Sequence, residues 1–165
     1  MLEVVTKIFT RRDPRRDAVL GLARIISRYD MQRLGFEEGI SPDRRDRVER
    51  HVAVGVWLFP CREDSLGEDL NTETVQSAVT HELRSEGFGV MAAEPFAASH
   101  CIIAIPDEEG GSWRFFRCSA CHHTRRPGGW YYIGLHVERT VDLDGNQRIA
   151  FREHIASAEN EHAAD

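Results

Sequence analysis

This sequence predicts a mainly β domain, a small antiparallel barrel or sandwich of six strands, carrying an N-terminal amphipathic α-helix. Six short runs rich in β-branched, aromatic and other apolar residues lie between His51 and Val137, with turn residues between them. No helical periodicity separates these runs, as a parallel sheet with crossover helices would require. Ahead of them, one stretch carries the opposite signature: apolar residues at helical spacing, between a start signal and a stop signal. A chain of 165 residues is long enough for one domain with a real core and short for two.

Leu2 to Phe9 reads as a short extended piece. Asp13-Pro14 then starts a helix, with Asp13 as N-cap and Pro14 at the first helical position. Ala18, Leu22, Ile25 and Tyr29 recur on one face, with Val19, Ala23 and Ile26 beside them. Gly35 stands where a left-handed C′ residue belongs, and Phe36 follows as its hydrophobic contact. The helix is therefore expected over residues 14–34, inside an N-terminal extension of residues 1–40. Its apolar face either packs on the domain that follows or forms a homodimer seam. Glu37 to Asp43 is a linker by composition, and residues 41–140 form the β domain.

His51 to Phe59 alternates, with Val52, Val54, Val56 and Leu58 on one face of a half-buried strand. Pro60 to Asn71 is a polar, acidic loop. Thr74 to Leu83 alternates again, with Val75 and Val79 on one side, and Phe88 to Ala92 follows after a polar turn. Glu94 to Ala98 turns the chain into the apolar strand His100–Ile105, and Asp107 to Ser112 is a hairpin loop. Trp113 to His123 is long enough to bend, Arg125 to Gly129 is a Pro-Gly turn, and Trp130 to Val137 closes the set.

Residues 141–165 are expected as a hairpin or helical tail. Asp144-Gly145, between Glu138–Leu143 and Gln147–Phe151, favours a two-residue hairpin turn with a short helix or frayed end after it. Asp142, Asp144, Asn146 and Glu153 also have calcium-loop spacing, but Gln147 occupies the position that needs glycine, and a strand stands where the entering helix belongs.

With 41% hydrophobic and 29% charged residues, the composition is that of an ordinary soluble globular chain. A net charge of −6 argues against a binder of nucleic-acid polymers, which must neutralise phosphates over a broad surface. Lys7 is the only lysine, so nearly all the positive charge is arginine. The opening MLEVVTKIFTRR has no basic segment followed by an apolar one, so no secretory signal is read there. The longest apolar run, Val52 to Pro60, is far short of a membrane span. A cytoplasmic protein without membrane insertion is expected, with Cys61, Cys101, Cys118 and Cys121 forming no disulfide framework.

Cys118-Ser119-Ala120-Cys121-His122 matches the C-x-x-C-H pattern of haem attachment. On a strand, however, Cys118 and Cys121 point to opposite faces and cannot clasp one cofactor without a bend. A zinc site from Cys118, Cys121, His122 and His100 or Cys101 would need four converging ligands, and only one C-x-x-C is present. Neither metal nor cofactor is expected. The chain has no G-x-S-x-G, phosphate-binding loop or H-E-x-x-H, so the sequence makes no case for an enzyme. Trp130 and Tyr132 share one strand face, while Tyr131 joins Ile133, Leu135 and Val137 on the other.

Arg44, Arg45, Arg47 and Arg50 put four guanidinium groups within seven residues, just ahead of the first strand. Asp43, Asp46 and Glu49 intervene, which gives a solvated charged segment by default. Should Arg44, Arg45 and Arg50 converge, they offer forked donors for phosphates and for guanine O6 and N7.

The order of these features resembles the PilZ domain, the bacterial receptors for cyclic diguanylate. The resemblance runs from about Arg44 to Arg139, and its closest part is His122-His123-Thr124-Arg125-Arg126 with Gly129-Trp130-Tyr131-Tyr132-Ile133-Gly134-Leu135. It implies a six-stranded antiparallel β-barrel that binds cyclic diguanylate and passes the signal to a protein partner. The family's R-x-x-x-R motif is imperfect here: Arg45 and Arg50 are four residues apart in between, and Asp46 stands where arginine belongs. The family's D/N-x-S-x-x-G motif falls on Glu82 to Gly87, with Glu82 for Asp or Asn, Arg84 for Ser, and Gly87 kept. The implied nucleotide site is thus Arg44, Arg45, Arg50, Glu82, Arg84 and Gly87. Glu82 can accept from a guanine N1–H and amino group; Arg84 either fills the purine's place or bonds a phosphate. The alternative is a PilZ-like adaptor that has lost the nucleotide and works through protein contacts.

Overall fold

The computed structural model describes residues 53–64, 70–84, 86–108 and 112–162, together with Ala18, Gly21, Leu22, Arg24 and Ile25. Among the described residues, six strands are present: β1 (Gly55–Cys61), β2 (Gln76–Arg84), β3 (Gly87–Ala92), β4 (His100–Glu108), β5 (Ser112–Arg125) and β6 (Tyr131–Val141). They close into a barrel in the order β1-β2-β3-β6-β5-β4, with every neighbouring pair antiparallel. Of the two architectures expected, the barrel is the one formed. Closure gives each of these six strands two neighbours, so none of them is an edge strand. One helix, α1 (Gly145–His162), follows β6. No helix among the described residues is long and apolar enough to cross a membrane.

Two apolar clusters hold the molecule together. The inner one fills the barrel with side chains such as Leu58, Leu83, Phe88, Ile103, Phe116 and Ile133, each at most 2% exposed. The outer one lies between the barrel wall and α1, where Phe59, Ile102, Ala104 and Phe115 meet Phe151. The ring of Phe151 packs edge-on to Phe115 at 4.9 Å and to Trp113 at 5.2 Å. This second layer explains why Cys101–Ile105 reads as an unbroken apolar run: Cys101, Ile103 and Ile105 face the barrel interior, while Ile102 and Ala104 face α1. Both faces of that strand are removed from water. On β1, Val56 and Leu58 point inward as expected. Val75, just ahead of β2, and Val79 on it do share a side, but it is the outer one; Ala78 and Thr80, which flank Val79, are buried.

The Asp144-Gly145 hairpin expected in the tail does not form. Residues Glu138 to Val141 continue β6, and Gln147 to Phe151 lie in α1. The Asp144 backbone N–H donates to Gln147 Oε1 and the Gln147 N–H donates to Asp144 Oδ1, each at 2.9 Å. This reciprocal capping box satisfies two backbone donors that a helix start otherwise leaves open. Phe151 and Ile155, four residues apart, then fall on the face that docks against the barrel.

Of the expected N-terminal helix, Ala18, Gly21, Leu22, Arg24 and Ile25 are described, and they are helical. Ala18, Leu22 and Ile25, three of the four positions read as its apolar face, are buried in the inner cluster. This much of the face is taken up by the barrel of the same chain. Tyr29 and the remaining positions of residues 14–34 lie outside the described residues, as do Arg44, Arg45, Arg47 and Arg50.

Candidate functional site

A row of four residues crosses the outer face of the barrel: Glu82 on β2, Gly89 on β3, Gly134 on β6 and His122 on β5, each the register partner of the next. Strict alternation would not put the two end residues there. Thr80 points inward, so Glu82 two residues on would do the same. The register shifts between Thr80 and Glu82, leaving His81 as an extra residue, and Glu82 turns outward while Leu83 joins the core. On β5 the shift lies between Ala120 and His122, with Cys121 as the extra residue. Each is a β-bulge that re-aims the side chain after it.

The two glycines make the row shallow. A Cβ on Gly89 would lie 2.6 Å from Tyr132 Oη and 2.6 Å from Glu82 Cγ. On Gly134 it would lie 2.5 Å from His122 Cε1. The space they leave holds Tyr132, which runs diagonally across the row. Its hydroxyl donates to Glu82 Oε1, and its ring stacks on His122 with centroids 5.5 Å apart and planes 27° apart. His81 meets the same ring edge-on at 6.1 Å, and the Arg126 guanidinium lies 5.4 Å from its centroid. Arg84 Nη2 donates to Glu82 Oε1 at 2.7 Å.

The electrostatics follow from this packing. Burial opposes ionisation of Glu82, but the hydrogen bonds from Tyr132 and Arg84 and the charge of Arg84 outweigh it, holding the carboxyl below its ordinary value of 4.5. Tyr132 is pushed up to about 12, by burial first and then by its bond to the Glu82 carboxylate. At neutral pH the site is a neutral phenol donating to a carboxylate, under a surface rim of two guanidinium groups and two imidazoles, all four exposed. Such a rim can donate to anions and stack against planar rings.

The structure brings Glu82 and Arg84 together, as an ion pair with each other. Gly87 stands at the start of β3, and its role is backbone contact: a Cβ there would lie 2.1 Å from the Leu135 carbonyl oxygen of β6. Sequence reasoning missed Gly89, Gly134, His122, His81 and Arg126. It placed Trp130 and Tyr132 on one strand face, opposite Ile133, Leu135 and Val137, which was the one available signal. The C-x-x-C-H segment does not gather its thiols: Cys118 is fully buried inside the barrel and Cys121 is exposed. Among the described residues, no three His, Cys, Asp or Glu side chains converge as a metal site.

No family model matches this chain, and a search of curated proteins finds no match. Among solved structures, this chain is similar to the inhibitor of motility MotI/DgrA from Bacillus subtilis, with a TM-score of 0.43 and 15% sequence identity. The match covers 72% of this chain and 53% of that one, so this chain spans about half the length of that protein.

Proposed function

We propose that this chain is a PilZ-like regulatory domain that binds cyclic diguanylate on the outer face of β2, β3, β6 and β5. The observation that carries the reading is the pairing of Glu82 with Arg84 beside the β2–β3 turn, on a glycine-floored row flanked by stacked rings. On this reading the Glu82 carboxylate accepts from the guanine N1–H and amino group, while Arg84 swings from Glu82 to a phosphate. The Arg84 side chain is 49% exposed, which gives it room to turn toward a phosphate. Arg44, Arg45 and Arg50 would supply the remaining guanidinium contacts from the segment ahead of β1. Gly87 belongs to the site through the strand pairing it permits, and the bound domain would pass its signal to a protein partner.

The test is calorimetric titration of the purified chain with cyclic diguanylate, beside Arg84→Ala and Arg50→Ala, with GMP as control. Binding at micromolar affinity or tighter is expected. Each substitution should cost about tenfold or more, because a charge-assisted bond contributes about 1.5–3 kcal/mol. No heat at high protein concentration ends this reading.

One observation favours a second reading. One of the two Glu82 oxygens that a guanine N1–H and amino group would use already accepts from both Tyr132 and Arg84. A site satisfied in this way suits an adaptor that keeps the barrel and has lost the nucleotide. It predicts no affinity for cyclic diguanylate in the wild-type chain and none gained in Arg84→Ala.

A further inference from the structure

A second concavity lies away from the Glu82–His122 row, where α1 crosses the ends of β5 and β6. It is a groove of about 850 Å³, within the range of small-molecule sites, roughly 300–1,000 Å³. We propose that it binds an amphipathic anion, a carboxylate or phosphate on an apolar chain. Its floor is apolar and buried: Phe115, Val141, Leu143 and Phe151. Trp113 and Phe115 both meet Phe151 edge-on, at 78° and 81°, so the rings frame the groove without filling it.

Its mouth is cationic. Arg148 is tethered by its Nε to the Leu143 carbonyl at 2.9 Å, which fixes the guanidinium at the rim. Arg152, one helical turn further on and exposed, lines the same groove. Like charges at this spacing repel along a helix, and an anion bridging the two forks removes that repulsion. Arg114 on the facing wall is neutralised by Asp107 at 2.5 Å. The rim charge then rests on Arg148 and Arg152 against Asp142, a positive mouth on a chain whose net charge is −6. An apolar floor under a positive mouth selects a ligand with a tail and an anionic head, whatever the other face of the barrel binds.

The test follows the Trp113 indole N–H in nitrogen–proton correlation spectra, its signal assigned with Trp113→Phe. Sodium decanoate, decyl phosphate and 1-decanol are titrated separately below their aggregation limits. Saturable shifts of Trp113 are expected with at least one anion, at affinity tenfold or more above that of decanol, and the tighter anion identifies the head group. Arg148→Glu with Arg152→Glu should weaken that anion at least tenfold; if the pair does not fold, Arg152→Glu alone, at an exposed position, reads the same loss. Absence of saturable shifts with both anions, equal affinity for decanol, or unchanged affinity in the charge-reversed variant overturns the proposal. Cyclic diguanylate should leave the Trp113 signal in place, which separates this groove from the row at Glu82.

Discussion

Replacing Tyr132 by phenylalanine removes one hydroxyl, keeps the ring on His122, and so isolates the bond to Glu82. Glu82 is 5% exposed, and its other side-chain partner is Arg84. A hydrogen bond to a charged group contributes about 1.5–3 kcal/mol. Arg84 is too exposed to offset much of its loss. Tyr132→Phe should therefore cost about 2 kcal/mol at pH 7, read as a lower urea midpoint at unchanged slope. The pH dependence has a definite sign at each end. Because the Glu82 carboxyl is held below 4.5 in the folded chain, its contribution is present above about pH 4.5 and is lost as pH falls through the lowered value. Tyr132 is raised from 10.0 to about 12, so its contribution is complete below pH 10 and is lost as pH rises through about 12. The variant lacks the bond behind both limbs, so its deficit relative to wild type should narrow in acid and again in strong base. A deficit of equal size at pH 3 and pH 7, or one below about 0.5 kcal/mol at pH 7, would refute the account of Glu82 as a carboxylate stabilised by Tyr132.

Gly87→Ala should cost about 3 kcal/mol in thermal or urea unfolding, the upper part of the overpacking range. The added Cβ meets the Leu135 carbonyl oxygen of the neighbouring strand, which cannot rotate away as a side chain would. Gly55→Ala, with nothing within 4 Å of its Cβ, is the control and should be close to neutral. Asp144→Ala should cost about 0.5–2 kcal/mol, as N-cap removal does, with faster hydrogen exchange confined to the first turn of α1 and the barrel amides unchanged.

The six strands were legible because each is a short apolar or alternating run between turn residues, and a barrel or sandwich is what such runs can bury. Their lengths were less so. β5 extends through Thr124 and Arg125, and β6 through Glu138, Arg139 and Thr140. These polar residues pair within the β5–β6 ladder, Thr124 and Arg125 with Tyr132 and Tyr131, Arg139 and Thr140 with Arg117 and Phe116, so pairing outlasts the apolar pattern. The start of α1 was misread because Asp144-Gly145 is a hairpin signal and Asp144 with Gln147 is a capping box. The same residues serve both. Local chemistry does not arbitrate; the packing of Phe151 against Phe59, Trp113 and Phe115 does. The helical pattern is also faint, since one of its few large apolar residues, Ile149, is 57% exposed.

The candidate site was harder to see for a single geometric reason. Side-chain direction along a strand is a parity, and one inserted residue reverses it for everything that follows. Counted from Thr80, Glu82 belongs to the interior; counted from Ala120, so does His122. His81 and Cys121 each add the residue that reverses the count, and neither is marked as a bulge by its type. The reversals act on strands that flank β3 and β6, where Gly89 and Gly134 stand opposite each other. Read singly, each glycine is a weak spot in a strand. Between two bulges they become the floor on which one tyrosine reaches a carboxylate and an imidazole from two other strands. Glu82 and Arg84 could be picked out from a motif within six residues of sequence, whereas their surroundings depend on register across four strands. The outer face of this barrel is therefore a property of pairing, and any change that shifts the register at His81 or Cys121 should dismantle it without removing a single one of its residues.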